Sequence, residues 1–325
     1  MTRLPTYLRV VATTACPLAC AYCHAEGDWQ RVGAARGLPA DLLERCLAVA
    51  ADSGIRKFKF IGGEPLVRRE LPAIVRSLRA RRPDSDLSVI TSGTPGLARA
   101  RDLFDAGLDR MNLSIHGWTP TALARRGGND AAHVHRHELL TWLIELGRPL
   151  KLNYVVGGDD EDDVRAFLDW AACKPVVVNL LDDLHDPRVS AATLLAQVHH
   201  WRGPSAASWQ EADPDSLPTT RLRWRDGLVV ELKTSRLGEA APWTSCATCA
   251  VRAGCREGIF ALRLTHDGRL QPCMDRPDLS LPLAELVAED PAQALARWRV
   301  FVADPGTATT VRRPRLLPVV REACR

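Results

Sequence analysis

Short runs of β-branched and apolar residues alternate, over the first 185 positions, with longer segments whose apolar residues recur at helical spacing. The runs "TYLRVVAT", "KFKFIGG", "LSVITSG", "RMNLSIHG", "LKLNYVV" and "PVVVNLL" predict strands. The segments between them predict helices over Pro39–Ser53, Leu66–Arg81, Pro95–Ala106, His133–Leu146 and Asp160–Ala172. Gly54 and Gly107 sit where two of these helices should stop, and the acidic "DDEDD" opens the last one. A repeating strand–helix pattern implies parallel strands joined by right-handed crossovers. About six such units predict an α/β fold built on a partial (β/α)6 TIM barrel rather than the full eight-unit form. In such a barrel the working residues lie where strands end, which makes neighbours of "TTACPLACAYC", "GGEP", "TSG" and "SIHG".

From about Asp186 to Asp215 the periodicity loosens, as expected of a connector. Beyond it "TRLRWRDGLVVELK" and "IFALRLTHDGRLQPC" each predict a hairpin turned at Asp-Gly. The last fifty residues predict a helix or two and then a Pro/Arg-rich tail. The expected division is a barrel over 1–185, a connector over 186–218, and a small C-terminal module of hairpins and helices over 219–325.

Composition changes this picture little: of 325 residues, 46% are hydrophobic and 25% charged, with no apolar run long enough to span a bilayer. The amino-terminal stretch has no h-region or cleavage site, so a cytoplasmic location is expected. A net charge of +4 argues for neither a nucleic-acid partner nor a membrane one. Arginine outnumbers lysine 38 to 5, so the few lysine positions carry weight. Ten cysteines in such a protein point to metal or redox chemistry before disulfides.

Cys16, Cys20 and Cys23 fall within eight residues, directly after the first strand. A disulfide pairs two cysteines and a closed zinc site wants four ligands. Three thiols in one loop therefore point to an iron–sulfur cluster with one corner left open. A zinc site completed by His24, or incidental buried cysteines, are the alternatives. The CxxxCxxC spacing with Tyr22 before the last cysteine resembles the hallmark of the radical S-adenosylmethionine (SAM) superfamily. So do "FIGGEPLVR", "ITSGTPGLARARDLFDAGLDRMNLSIHG" and "LKLNYVVGGDDEDDVRAFLDWA", in matching order. The resemblance is strongest to the MoaA-like GTP 3′,8-cyclase branch of molybdenum-cofactor synthesis, over roughly residues 6–180 and the C-terminal cysteine region. It implies that Cys16, Cys20 and Cys23 ligate three irons of a 4Fe-4S cluster and that SAM chelates the fourth. It further implies that Gly62 and Gly63 let backbone approach the methionine end of SAM, that Glu64 accepts from the SAM ammonium, and that Pro65 stiffens the turn. Thr91, Ser92, Ser114 and Asn153 match positions that contact SAM's polar groups, local cap or turn bonds being the alternative.

Cys246, Cys249, Cys255 and Cys273 form a second group that alone reads equally as a zinc ribbon or an iron–sulfur site. The resemblance implies a second 4Fe-4S cluster of the SPASM/twitch type. The chain departs from the cyclase pattern in its fourth thiol and a longer interval between Cys255 and Cys273. It departs also in Ala261, which replaces the first arginine of a pair whose second is Arg263, and in ending "REACR" without a glycine pair. If all four thiols bind, that cluster is coordinatively closed and serves electron transfer or structure.

Arg9, Lys57, Lys59, Lys151 and Arg263 match basic positions that grip the cyclases' substrate, and alternation puts Lys57 and Lys59 on one side of their strand. Phosphate binding is the functional reading and internal ion pairing the alternative. His116 ends the fourth strand, within reach of substrate. His133, His135 and His137 are expected on a solvated helix face, Cys46 and Cys173 as buried inert thiols, and Cys324 in the tail. The reading is a radical SAM enzyme that generates a 5′-deoxyadenosyl radical to cyclise, rearrange or oxidise a phosphorylated nucleoside or sugar in specialised metabolism. A flavodoxin- or ferredoxin-type electron donor goes with it. GTP 3′,8-cyclase, peptide maturase and non-catalytic metal scaffold are the rivals.

Overall fold

The computed structural model describes residues 5–20, 22–23, 37–157, 161–183, 191–211, 219–233, 243–250, 252, 255, 260–274, 276–303 and 305. Six strands, β1 (Tyr7–Thr13), β2 (Lys57–Gly62), β3 (Asp86–Thr91), β4 (Arg110–Ser114), β5 (Leu150–Val156) and β6 (Val176–Asp182), pair in parallel and in sequence order. The crossovers carry helices α1 (Ala40–Asp52), α2 (Leu71–Arg81), α3 (Leu97–Asp105), α4 (Pro120–Ala124), α5 (Asp130–Glu145) and α6 (Glu161–Ala171). The partial α/β barrel expected from the periodicity is therefore present, as an open sheet. Gly54 (φ 106°) and Gly107 (φ 102°) take the left-handed conformation after α1 and α3 that L side chains resist. Asn129 caps α5 by accepting from the Ala132 amide at 2.8 Å. Glu161, Asp162 and Asp163 fill the first turn of α6, where the helix dipole favours negative charge.

The C-terminal third extends this sheet at both edges. The strands β8 (Thr219–Arg223) and β9 (Val229–Lys233) form the first hairpin, and β9 lies parallel to β6. Strands β10 (Leu262–Leu264) and β11 (Leu270–Gln271) form the second, and β10 lies parallel to β1. With β7 (Ala207–Glu211) on the far edge, the order is β11-β10-β1-β2-β3-β4-β5-β6-β9-β8-β7. Helices α8 (Leu283–Glu289) and α9 (Pro291–Ala303) follow the second hairpin.

Two elements lie where the sequence predicts only a connector: β7 and the helix α7 (Ala191–Arg202). Leu194 and Val198, four residues apart, are fully buried, but little else marks an apolar face on α7, so its periodicity is weak. The short α4 was equally unannounced; Thr119 caps it and Pro120 opens it. Cys46 is buried as expected, its thiol pushed up to about 12 by burial. Cys173 is a correction: it lies past the end of α6, exposed, in the left-handed region (φ 62°). Cys324 and His24 lie outside the described residues.

The strands' alternation creates two unlike faces. Leu8, Val10, Phe58, Phe60, Leu87, Val89, Leu152 and Tyr154 pack against the helices as one core. The opposite residues of the same strands form an inner face that is polar and charged: Arg9, Lys57, Lys59, Ser88, Arg110, Asn112, Lys151, Asn153 and Asn179. Parallel sheets ordinarily bury apolar residues on both faces, so this inner face marks where the chemistry sits.

Candidate active site

The cysteine loop leaves β1 at Thr13 and is pinned by the segment that follows β2. The Gly63 amide donates to the Thr13 carbonyl at 2.8 Å and the Glu64 amide to the Ala15 carbonyl at 2.7 Å. A Cβ on Gly62 would stand 2.3 Å from the Thr13 oxygen, and one on Gly63 2.2 Å from the Ala15 oxygen. The paired glycines are thus required by the approach of two loops, where the sequence reading had them make room for SAM. Pro65 opens a buried 3-10 turn directly after Glu64.

Glu64 is 1% exposed and its carboxylate is fully engaged inside the protein. Oε1 accepts from the Thr91 hydroxyl at 2.6 Å and the Leu66 amide at 3.0 Å. Oε2 accepts from the Ser92 amide at 2.7 Å and hydroxyl at 2.5 Å. A carboxylate has about four acceptor sites, and four protein donors meet them here. Thr91 and Ser92, expected at SAM, are the donors that knot β3 to this turn. The reason is burial, which pushes the Glu64 carboxyl up and makes every unmet acceptor costly.

Cys16, Cys20 and Cys23 are partly exposed along this loop, with the Cys23 amide donating to the Cys20 carbonyl at 3.1 Å. Burial and then the neighbouring Cys23, with Cys16 further down, push the Cys20 thiol up to about 11, against a hydrogen bond from Tyr22. Thiols crowded in this way ionise together only around positive charge, as iron supplies. Among the described residues no three ligands close on a single-ion position. The donor set, three thiols in one loop with no fourth ligand among the described residues, suits a cluster held at three corners.

His116, expected to touch substrate, meets Tyr22 instead: its Nδ1 hydrogen-bonds the Tyr22 hydroxyl, and the two rings stack with centroids 5.8 Å apart. Burial, then Arg136 and Arg126, pull the His116 imidazole down to about 3, so it is neutral. The Arg126 carbonyl also accepts from the Ala19 amide of the cysteine loop at 3.0 Å.

On the inner face Ser114 and Asn153 are register neighbours, as a shared role requires, and Asn179 continues the row on β6. Asn179 Nδ2 donates to Asn153 Oδ1 at 2.9 Å, while its own Oδ1 is buried with no partner among the described residues. That open acceptor makes Asn179 a binding candidate the sequence reading missed; alternation along "PVVVNLL" was the available signal.

The basic residues divide. Arg263, Arg9 and Lys59 lie side by side across β10, β1 and β2, with Lys57 two positions earlier. Lys57 and Lys59 lie over the Tyr7 ring, 4.5 and 5.9 Å from its centroid. Arg110 is a further cation on this face, unremarked in the sequence; its Nε donates to Asp86 at 3.1 Å. Lys59 is 9% exposed, and no described carboxylate pairs with it. Burial first, then the charges of Arg110, Arg9, Lys57 and Lys151, hold its ammonium well below the ordinary 10.5. Lys151 takes the alternative of internal ion pairing: it is paired with Glu231 of β9, which Arg221 of β8 also engages at 2.8 Å.

The histidines of α5 are less solvated than expected. His133 and His137, four residues apart, pack with ring centroids 4.3 Å apart and planes tilted by 51°, and His137 packs on Trp118 at 4.6 Å. Burial, then His133 and Arg136, hold His137 down at about 4. His135 is exposed, with Nδ1 on the Thr94 carbonyl at 3.2 Å.

Cys246, Cys249 and Cys255 follow one another through successive turns: the Cys249 amide donates to Cys246 at 3.2 Å, Arg252 to Cys249 at 3.1 Å, and Cys255 to Arg252 at 3.2 Å. Cys273 comes just after β11, and all four thiols are partly exposed. Ala261 is buried where β10 begins, and Arg263 is the residue that keeps a guanidinium on the inner face.

An open parallel sheet with three thiols after its first strand, a glycine-tightened turn beside them and a cationic inner face is the arrangement of a SAM-cleaving enzyme. A family model described as the radical SAM superfamily matches residues 10–171, and the chain belongs to that superfamily. It is accordingly an enzyme of reductive SAM cleavage, the superfamily's cofactors being a 4Fe-4S cluster and SAM. Among its relatives, GTP 3′,8-cyclase 1 of Pseudomonas aeruginosa is 30% identical over 307 residues, 88% of this chain and 84% of that protein. The probable GTP 3′,8-cyclase of Thermococcus kodakarensis is 29% identical over 281 residues, 83% of this chain and 85% of that one. Among solved structures, Streptococcus suis SuiB bound to S-adenosylmethionine superposes with a TM-score of 0.59 at 13% identity, which speaks to the fold. That match covers 88% of this chain, which spans 65% of the SuiB chain. Among the described residues no helix is long and apolar enough to cross a membrane.

Proposed function

We propose that this enzyme acts on a purine nucleoside triphosphate, GTP first among them, by cyclisation of the GTP 3′,8-cyclase type. The observation that carries the reading is Lys59, a buried ammonium set among like charges with no described carboxylate beside it. Such a group is costly unless an anion completes it. Arg263, Arg9 and Lys57 stand next to it, so a phosphate chain laid across β10, β1 and β2 would meet charge at each step. The cyclase relatives favour this over the specialised-metabolite substrate that the sequence suggests.

In this reading Cys16, Cys20 and Cys23 hold the 4Fe-4S cluster, and Ser114, Asn153 and Asn179 line the SAM side of the inner face. Cluster and SAM, when bound, supply one-electron cleavage of the sulfonium and the hydrogen-abstracting power that follows. The chain's own part is to orient one C–H bond, neutralise the phosphates and keep water out. Cys246, Cys249, Cys255 and Cys273 would hold a second 4Fe-4S cluster, and a flavodoxin- or ferredoxin-type protein would deliver electrons.

Anaerobic reconstitution followed by incubation with SAM, dithionite and each of GTP, ATP, CTP and UTP tests this. GTP should give a 3′,8-cyclised nucleotide in step with 5′-deoxyadenosine, and iron should reach about 8 per chain for two cubanes. Release of 5′-deoxyadenosine at one rate whichever nucleotide is present, with every nucleotide recovered intact, would overturn it.

A further inference from the structure

On β4 the inner face carries a buried amide that neither the cation row nor the SAM row uses. Asn112 lies between Met111 and Leu113, both in the core against the helices, so strand alternation turns it to the inside. It is 6% exposed, and its amide has no hydrogen-bond partner among the described residues. Asn179 and Asn153, on the next two strands, are bonded to each other. Of the register neighbours of Asn112, Ile90 offers no polar side-chain atom and Lys151 is drawn to Glu231. A primary amide has two N–H donors and a carbonyl oxygen, and leaving them unmet inside a protein is costly. A neutral group that donates and accepts side by side would meet it.

The place of Asn112 in the sheet says which part of a ligand that group belongs to. The row Arg263, Arg9 and Lys59 continues in register through Ser88 of β3 to Arg110 of β4, and Asn112 stands two residues nearer the mouth. With strands about 4.8 Å apart and about 3.3 Å of rise per residue, Asn112 lies about 12 Å from Lys59 along the sheet. A phosphate chain laid over β10, β1 and β2 puts a sugar over β3 and a base over β4. On β3 the Ser88 hydroxyl is spent on the Phe58 carbonyl at 3.3 Å and Ile90 is apolar, a surface on which a sugar can rest. We propose that Asn112 is the substrate-binding residue that takes the edge of the nucleobase. Its amide oxygen accepts from an N–H of the base, and its NH2 donates to the ring nitrogen or carbonyl oxygen alongside. Ser114, two positions on, begins the SAM row, so a base anchored at Asn112 holds the nucleoside beside it. An amide can turn to suit guanine or adenine, so Asn112 demands a base and leaves the choice of purine to other groups. This assignment rests on the nucleotide reading.

The test is titration calorimetry on the reconstituted enzyme with SAM present, using GTP, ATP and inorganic tripolyphosphate. Asn112→Leu keeps the size of the side chain and removes its polar atoms. It should weaken both nucleotides about 5- to 150-fold, the worth of a bidentate base contact, and leave tripolyphosphate unchanged. Asn112→Asp, ionised among the cations of this face, can only accept. It suits the N1–H and N2–H of guanine and opposes the bare N1 of adenine. The ratio of GTP to ATP affinity should therefore rise about fivefold or more, whatever the added charge does to both. If Asn112→Leu binds the nucleotides as tightly as the wild type, or if tripolyphosphate weakens in step with them, the assignment is overturned. An unchanged ratio in Asn112→Asp overturns it too, and that ratio alone decides should Asn112→Leu not fold. A wild-type enzyme that forms 5′-deoxyadenosine but binds none of the three ligands would instead end the nucleotide reading, and this assignment with it.

Discussion

Lys59 and Lys151 stand on one face of one sheet, three strands apart, and their surroundings are opposite. Lys151 has Glu231 against it, a carboxylate 2% exposed that also holds Arg221. Lys59 has Arg9, Lys57 and Arg110 around it and an aromatic ring 5.9 Å away. The half of the inner face around Lys151 is electrically closed, and the half around Lys59, which has no described carboxylate beside it, is the one open to an anion. The difference is made by β9, which lies beside β6 and carries Glu231 to the level of Asn179, whereas β10 lies beside β1 and carries Arg263 to the level of Arg9. Two hairpins of similar appearance thus finish the two edges of the barrel with opposite charge. On the proposed reading, a substrate's anionic end would lie on the β10–β1–β2 side.

The largest expected effect is on Lys59. Removing one partner of a desolvated charge pair costs about 2–5 kcal/mol, so Lys59→Met should weaken nucleotide binding about 30- to 5,000-fold by calorimetry. The ligand-free protein should become more stable, with a higher Tm, because the variant loses a buried charge without a counterion. A lower Tm in the absence of nucleotide would mean that Lys59 is satisfied in the free protein, and the contrast with Lys151 would vanish. The same residue gives a pH dependence. Its folded pKa lies below the unfolded 10.5, so between the two the unfolded chain binds the extra proton. Stability of the ligand-free protein should therefore rise with pH across that window, and the penalty should be full below it. Nucleotide affinity should move the other way, falling as pH rises through the folded value. Lys59→Met should flatten both curves.

The closed half should respond in the opposite sense. Glu231→Gln leaves Lys151 and Arg221 facing a neutral amide, but both cations retain some solvent, their side chains being 36% and 27% exposed. The cost should therefore be about 2 kcal/mol in urea unfolding, below that of a fully buried pair. Nucleotide affinity should hold or improve, since Lys151 is released toward the cavity. A loss of affinity as large as that of Lys59→Met would show that the Glu231 carboxylate itself meets the substrate.

Much of the open half was legible in the sequence, because strand alternation is local. Lys57 and Lys59 differ by two positions, and the period of a strand puts them on one side. The three thiols after "TTA" were legible for the same reason, as were the two Asp-Gly hairpins. What was hidden depends on which segments meet. Glu231 comes from a strand 80 residues beyond Lys151, and no periodicity tells which edge of the sheet it will join. Glu64 reads as a ligand-facing acid until Thr91 and Ser92 close on it from the next strand. His116 reads as substrate-facing until Tyr22, 94 residues earlier, folds against it. The helix α7 was missed because its buried positions are too few to make a period.

The smallest effect should come from Asp86, a carboxylate that meets a cation on the open side. It lies opposite Lys57 in register but bonds Arg110, whose side chain is 27% exposed against 39% for the acid. A pair so solvated is worth no more than about 1 kcal/mol, so Asp86→Asn should barely shift the urea midpoint. Its electrostatic effect should be easier to see. With the acid gone, Arg110 adds an unscreened charge to the field around Lys59, and nucleotide affinity should rise about twofold at low ionic strength. The gain should disappear in 0.5 M salt, where screening shortens the reach of such a charge to a few ångströms. Persistence of the gain at high salt would mean that Arg110 touches the phosphates directly. The open half would then extend one strand further, through β4, and the boundary between the two halves would fall between Arg110 and Lys151.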